Sequence, residues 1–362
     1  MKRHYPGPPL TPQRLLPRRS LFLVAGSLAL ETLTACAQIS VNANQNTSPH
    51  PTVLRDVPHR LASVWVVSGG SGTLETLAWR PNTHQFASGS SDGQVRVWSI
   101  QGKPSSQFTV SGFVSGLSWS PDGAQLLVAT TAGKLTFWPS AHGWPVPPLV
   151  TEHYPAVSWS PIGDLIAIGT GSAKVLLWHK SGNTQSLPTS AATTAVTCSP
   201  NGGLVASGTR GGHLHCWSSD GTARWTLIDP SHTTINALAW TADGSLIAAG
   251  DNAGNILLAD SASGKVRGTV KPSGGINALR WSPTDNILGA STQHFTVVLL
   301  SKTNLTSIGG TQAGYDVNNL LWSPDGSLII AGLDDAALHA WQVTPPVGSG
   351  PTLTASTGYM AR

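Results

Sequence analysis

Few residues in this 362-residue chain have the type and spacing to do chemistry. His213 and His215 stand two apart in Gly-Gly-His-Leu-His-Cys-Trp, and on a strand residues i and i+2 share a face. Two imidazoles on one face can bind a metal ion if a third ligand joins them. The sequence places no third ligand, so a solvated polar face is the better reading, and no metal or other cofactor is expected. Gly69-Gly70-Ser71-Gly72 leads into a strand-like stretch rather than a helix, which argues against a phosphate cradle. Neither a G-x-x-x-x-G-K-[ST] loop nor an H-E-x-x-H pair occurs. Paired carboxylates are not evident, since Asp334-Asp335 reads as a turn. Catalytic residues are therefore expected to be none, and the chain is read as a non-enzyme.

The elements that carry these residues are far more legible. Seven near-copies of one pattern run from about residue 74 to residue 344. Aligned on the aromatic of Leu-x-Trp-Ser-Pro-Asp-Gly, the anchors are Trp79, Trp119, Trp159, Cys198, Trp240, Trp281 and Trp322, spaced 40, 40, 39, 42, 41 and 41 residues apart. Nineteen residues after each anchor stands a second bulky slot: Trp98, Trp138, Trp178, Trp217, Ala259, Leu300 and Trp341. A fixed offset inside a drifting period means constant strand lengths and variable connections. Within residues 114–138, alternation from Val114 to Trp119 gives a first strand. Ser120-Pro121-Asp122-Gly123 is a turn, with Pro fixing φ and Gly supplying φ > 0. Leu126 to Val128 is a second strand, Thr131-Ala132-Gly133 a second turn, and Lys134 to Trp138 a third strand. A looser segment leaves room for a fourth. Four short antiparallel strands in a period of about 40 residues make one blade of a β-propeller. The predicted fold is all-β: a seven-bladed β-propeller of four-stranded antiparallel blades.

The stretches Trp79–Trp98, Trp119–Trp138 and Trp159–Trp178 resemble the WD-repeat family, and the resemblance extends over roughly three-quarters of the chain. It implies a toroid with three strands per repeat plus an outer strand. Leu61 to Val67 precedes the first repeat and the last repeat ends at Trp341. Residues 61–67 are therefore inferred to supply the missing outer strand of the seventh blade, closing the ring and covering an open edge. The family's turn Asp, six residues before the second slot, is kept only as Asp92 and Asp335. Its Gly-His pair is missing, so core packing more than polar networks is expected to hold the blades.

At the N-terminus Lys2, Arg3, Arg14, Arg18 and Arg19 precede the apolar run from Leu21 to Leu30, which is too short to span a bilayer as a helix. Leu33-Thr34-Ala35-Cys36 then resembles a bacterial lipobox. That resemblance implies a diacylated Cys36 as the mature N-terminus, and so an extracytoplasmic protein tethered to a membrane. The domains expected are an export signal over 1–36, a flexible linker over 37–60, the propeller over 61–344 and a disordered tail over 345–362. Pro17 to Leu23 also resembles a twin-arginine signal, which leaves the export route open. A plain secretory signal, an uncleaved anchor and a cytoplasmic protein with a misread leader are the competing readings. The leader also accounts for the net charge of +4. Its five basic and one acidic residues leave 16 of each sign in the remainder, so a nucleic-acid partner is not indicated. Cys198 and Cys216 occupy slots that are apolar in other repeats and read as buried thiols rather than a disulfide.

Recognition on a rigid scaffold is usually built in loops. The starts of the first strands present Glu75, Ser115, Tyr154, Thr194, Asn236, Asn277 and Asn318. The turns between second and third strands present Ser91, Thr131, Gly171, Arg210, Asn252, Gln293 and Asp334. Arg210, Tyr154 and His153 are the residues best suited to be hot spots. Asn236, Asn277 and Asn318 recur in three successive repeats, as an amide ladder that binds a polar group or caps the strand starts. The expected function is non-catalytic binding of an unidentified protein or peptide across this face. The alternative is a small molecule or glycan bound or transformed at the central channel.

Overall fold

The computed structural model describes residues 59–139, 144, 156–284 and 286–344. The predicted leader with Cys36, the linker up to residue 58, His153, Tyr154 and the tail from residue 345 lie outside the described residues. Every regular element among the described residues is a strand.

The second repeat shows how the sequence makes the unit. Val114–Trp119, Leu126–Thr130 and Leu135–Trp138 pair antiparallel, with Trp119 opposite Leu126 and Leu126 opposite Trp138. The first turn is held by its own side chains. Gly123 N donates to Ser120 O at 2.8 Å, Gln125 N donates to Ser120 Oγ at 2.9 Å, and Ala124 N donates to Asp122 Oδ1 at 2.9 Å. Gly123 sits at φ 68°, a conformation that glycine adopts without steric cost.

The first, third, fourth and fifth repeats are each a separate four-stranded antiparallel sheet. The sixth and seventh share one eight-stranded sheet, joined through the strand His59–Ser68. This strand pairs antiparallel with Ala337–Thr344 of the seventh repeat, from Arg60 opposite Thr344 to Ser68 opposite Ala337. It is longer at both ends than the expected 61–67 and takes two residues from the predicted linker. Its start also pairs in parallel with Ser307–Gln312 of the sixth repeat, His59 opposite Gly309 and Arg60 opposite Gly310. Only glycine lets the two backbones meet there, because a Cβ on Gly309 would run into the His59 carbonyl.

Apolar burial follows the repeat. The buried residues form seven clusters among the described residues, each drawn chiefly from two neighbouring repeats. One of them joins Leu74, Leu77, Phe86 and Trp98 of the first repeat to Leu321, Ile330, Leu338 and Ala340 of the last. The first strands touch in sequence order, and Val317–Trp322 of the last repeat touches Leu74–Trp79 of the first. Most aromatic slots fill the layers between sheets: Trp119, Trp159, Trp178, Trp217, Trp240, Trp281, Trp322 and Trp341 are all buried, as is Trp98. Trp79 and Trp138 are only half-buried, and Trp138 lies stacked on Phe108 of the preceding repeat at 4.9 Å. Ala259 and Leu300 occupy their slots fully buried. Cys198 and Cys216 are buried and free of disulfides, and burial pushes both thiols up to about 12.

The expectation that polar networks give way to packing needs correction in the first repeat. Trp98 Nε1 donates to the buried Ser88 Oγ at 2.8 Å. Asp92 accepts from Gln94 N at 2.9 Å and from Ser71 Oγ at 2.7 Å.

Candidate functional site

Every first strand whose start lies among the described residues carries a β-bulge there. The pairing register jumps across Glu75, Ser115, Thr194, Asn236, Asn277 and Asn318. A bulge residue has no ladder partner, and the bulge re-aims its side chain. All six line one cavity of about 240 Å³ between the first strands. Glu75, Ser115 and Thr194 also line an adjoining hollow of about 560 Å³, whose rim holds Ser91, Thr131 and Phe113. The start-of-strand residues thus converge, to the extent that they are described. Arg210 is exposed in its turn and lines neither space. Phe113 is 53% exposed at the rim and was not singled out from the sequence. The signal available was a bulky apolar residue immediately before a strand start, where the other repeats vary.

The bulge side chains also tie each repeat to the next. Thr194 Oγ1 donates to Ile235 O at 2.5 Å, Asn236 Nδ2 to Ile276 O at 3.0 Å, and Asn277 Nδ2 to Val317 O at 3.2 Å. Asn318 Nδ2 donates to Leu74 O at 3.3 Å, from the last repeat to the first, and to Asp334 Oδ1 at 2.7 Å. These amides therefore cap the neighbouring strand starts. Glu75 is the carboxylate of the lining and accepts from Thr73 Oγ1 at 2.6 Å. Arg280 is its cation. Burial pulls the Arg280 guanidinium below the usual arginine range, which sequence reading did not anticipate because the neighbouring slots are small or apolar.

Other chemical candidates resolve differently. The His213 and His215 rings stack at 5.9 Å, and His215 stacks on Trp217 at 5.4 Å. His215 Nδ1 lies 3.0 Å from Thr226 Oγ1 and Nε2 3.3 Å from Ser190 Oγ. This face is half-buried rather than solvated, a correction to the sequence reading. Burial first, and the neighbouring His213 second, push the His215 imidazole down to about 4. Among the described residues no group of three His, Cys, Asp or Glu side chains gathers as a metal site. Gly89-Ser90-Ser91-Asp92-Gly93 spells the G-x-S-x-G pattern of a nucleophile elbow. It is a turn between two strands rather than between strand and helix, so it lacks the context that motif needs. Asp251 is a buried carboxylate that the repeat pattern did not reveal. It accepts from Ser231 Oγ at 2.6 Å, Thr233 Oγ1 at 2.9 Å and Asn255 Nδ2 at 2.7 Å; burial works against its ionised form, but hydrogen bonding from the neighbouring Asp229 carboxyl, then from Ser231 and Asn255, holds its pKa below the usual carboxylate range.

Comparison with known families meets this geometry at both ends and in the middle. Residues 61–99 and 302–342 match the model described as WD domain, G-beta repeat. Residues 196–284 match the model described as the anaphase-promoting complex subunit 4 WD40 domain. These matches support a WD-repeat β-propeller family for the chain. The two shorter matches each begin in or just before an outer strand and run through the next three strands, which sets the repeat of this WD-repeat protein one strand out of step with its sheets. No curated protein matches the chain.

Proposed function

We propose that this WD-repeat protein is a seven-bladed, closed propeller that works as a non-catalytic platform for a protein or peptide partner at the mouth of its central channel. The observation that carries the reading is the convergence of six bulge residues from six repeats on one cavity, with the exposed Phe113 at its rim. Closure is supported by the cluster shared between the first and last repeats and by the bond from Asn318 to Leu74. His153 and Tyr154 are proposed as further contacts of the same surface, and Arg210 as an outlying one. WD domains commonly serve as binding scaffolds, and that family habit is an analogy rather than a property of this fold alone.

The leader reading stands beside it as a proposal: export, acylation of Cys36 and tethering on the extracytoplasmic face of a membrane. Two experiments test the two parts separately. Peptides selected from a displayed library on the full chain are expected to lose binding to Phe113→Ala at an unchanged melting temperature. A library that yields no binder, or binders indifferent to Phe113, refutes the platform. The intact mass of the protein from its native membrane fraction is expected to begin at Cys36 with added acyl mass. A chain beginning at Met1 without acylation refutes the tether. A second reading, a small molecule held within the channel, is favoured by one observation, the half-buried cation Arg280 in the cavity lining.

A further inference from the structure

Superposing the seven repeats on their anchors isolates two residues that break the pattern. The slot immediately before the anchor holds Ala78, Ser118, Ser158, Thr197, Ala239 and Leu321, but Arg280 in the sixth repeat. The slot three before the anchor holds Thr76, Gly116, Ala156, Ala195, Ala237 and Ala278, but Asn319 in the seventh. These two exceptions fall in adjacent repeats and meet: Arg280 Nη2 donates to Asn319 Oδ1 at 3.4 Å. Both line the central cavity.

The pair is incomplete as a protein interaction. A guanidinium offers five N–H donors in a planar fork. Arg280 commits one to Asn319 and one, from Nη1, to the Leu279 carbonyl at 2.9 Å. No carboxylate among the described residues lies within ion-pair distance of it, since the ion pairs there are Arg267 with Asp260 and Lys302 with Asp243. Glu75, the acid of the same lining, is engaged by Thr73. Asn319 presents its carbonyl oxygen to Arg280, and its amide N–H groups donate to nothing among the described hydrogen bonds. Arg280 is half-buried, and a partly desolvated charge without a counter-charge carries a cost that a small residue in this slot avoids in other repeats. Burial of the guanidinium makes it more sensitive still to an incoming anion.

We propose that Arg280 and Asn319 form a carboxylate-binding site inside the channel. The planar fork of Arg280 takes one face of the carboxylate in a bidentate pair, and the Asn319 amide donates to it from the side. The carboxylate belongs to a peptide C-terminus or to a small organic acid. The proposal rests on reading the central cavity as a binding site, but it does not need the partner at the rim to be a peptide.

The test uses the full chain with defined probes: succinate, inorganic phosphate, and short peptides with a free or an amidated C-terminus. Binding is read by calorimetry and by the fluorescence of the tryptophans, among which Trp322 donates from Nε1 to the Arg280 carbonyl at 2.9 Å. The expected result is that succinate or the free-carboxylate peptide binds beyond the effect of chloride at equal ionic strength. That binding should weaken by about tenfold or more in Arg280→Ser and by less in Asn319→Ala. Both substitutions use residue types found in the same slots of other repeats. If Arg280→Ser does not fold, Arg280→Lys replaces it: weakened binding supports the fork, and wild-type binding overturns it. Succinate binding without peptide binding supports the site and assigns it to a small acid. Equal binding of amidated and free peptides leaves the platform standing and overturns the carboxylate site. Tighter binding of phosphate than of any carboxylate, or no binding beyond that of chloride, overturns it as well.

Discussion

Replacing Trp65 by alanine tests the joint between the first and last repeats with one side chain. Trp65 belongs to the strand that pairs with the last repeat, yet its indole reaches the first: Nε1 donates to Ile100 O at 3.1 Å. Its ring lies over Gly102, where a Cβ would come within 3.1 Å of the indole carbons. It also packs against the cluster that joins the two repeats. Full burial of a tryptophan makes its removal cost about 3–5 kcal/mol. Trp65 is half-buried, so packing contributes about 2 kcal/mol, and the lost hydrogen bond adds about 1 kcal/mol. The expected destabilisation is about 3 kcal/mol, or a fall in melting temperature of roughly 5 °C for a domain of this size. Urea denaturation followed by tryptophan fluorescence and by circular dichroism measures it. The control is Val66→Ser on the same strand, where the side chain is 53% exposed and the change should stay within about 0.5 kcal/mol. If Trp65→Ala is no more destabilising than Val66→Ser, the indole does not hold the joint and the reasoning for closure through this strand fails.

Two further outcomes follow from the buried titratable groups. His215 has its pKa pushed down from 6.5 to about 4 by burial and by His213, so the folded state favours the neutral ring. The stability it contributes is complete above pH 6.5 and is lost as pH falls from 6.5 to about 4; His215→Gln should flatten that part of a stability-against-pH curve, and an unaltered slope would refute the assignment. Cys198 and Cys216 are buried thiols pushed up to about 12, so alkylation of the native protein at neutral pH should wait for unfolding. Rapid labelling of either under native conditions, read by mass spectrometry, would contradict their place in the core.

The repeat was legible because one side chain per strand fixes register. The anchor tryptophans and Ser-Pro-Asp-Gly turns state where strands begin, and alternation states which face is buried. The start-of-strand residues were legible for the same reason, although that they are bulges was not: a bulge adds a residue without changing composition. The joint of the sixth and seventh sheets was hidden in Gly309-Gly310, where the sequence shows only an absence of side chains. Arg280 and Asn319 depart from the repeat pattern in the sequence, but nothing in one strand says that they meet. Their meaning appears only when strands from adjacent repeats are placed side by side. Asp251 was missed because it stands two residues before the place where the family pattern sets its turn Asp, and its partners Ser231 and Thr233 come from the preceding loop.

The strand His59–Ser68 has a consequence in time. Its antiparallel partner, Ala337–Thr344, is the last of the described strands to be made, about 270 residues later. At roughly 5–20 residues per second, the early strand waits some 15–55 s on a ribosome before its partner exists. During that interval the row of backbone donors and acceptors that meets the last repeat is unpaired, and Trp65 has only the first repeat to rest on. The last repeat in turn has a bare edge until the chain's beginning returns to it. The order of assembly is then set by the calendar of synthesis as much as by the strength of any one contact.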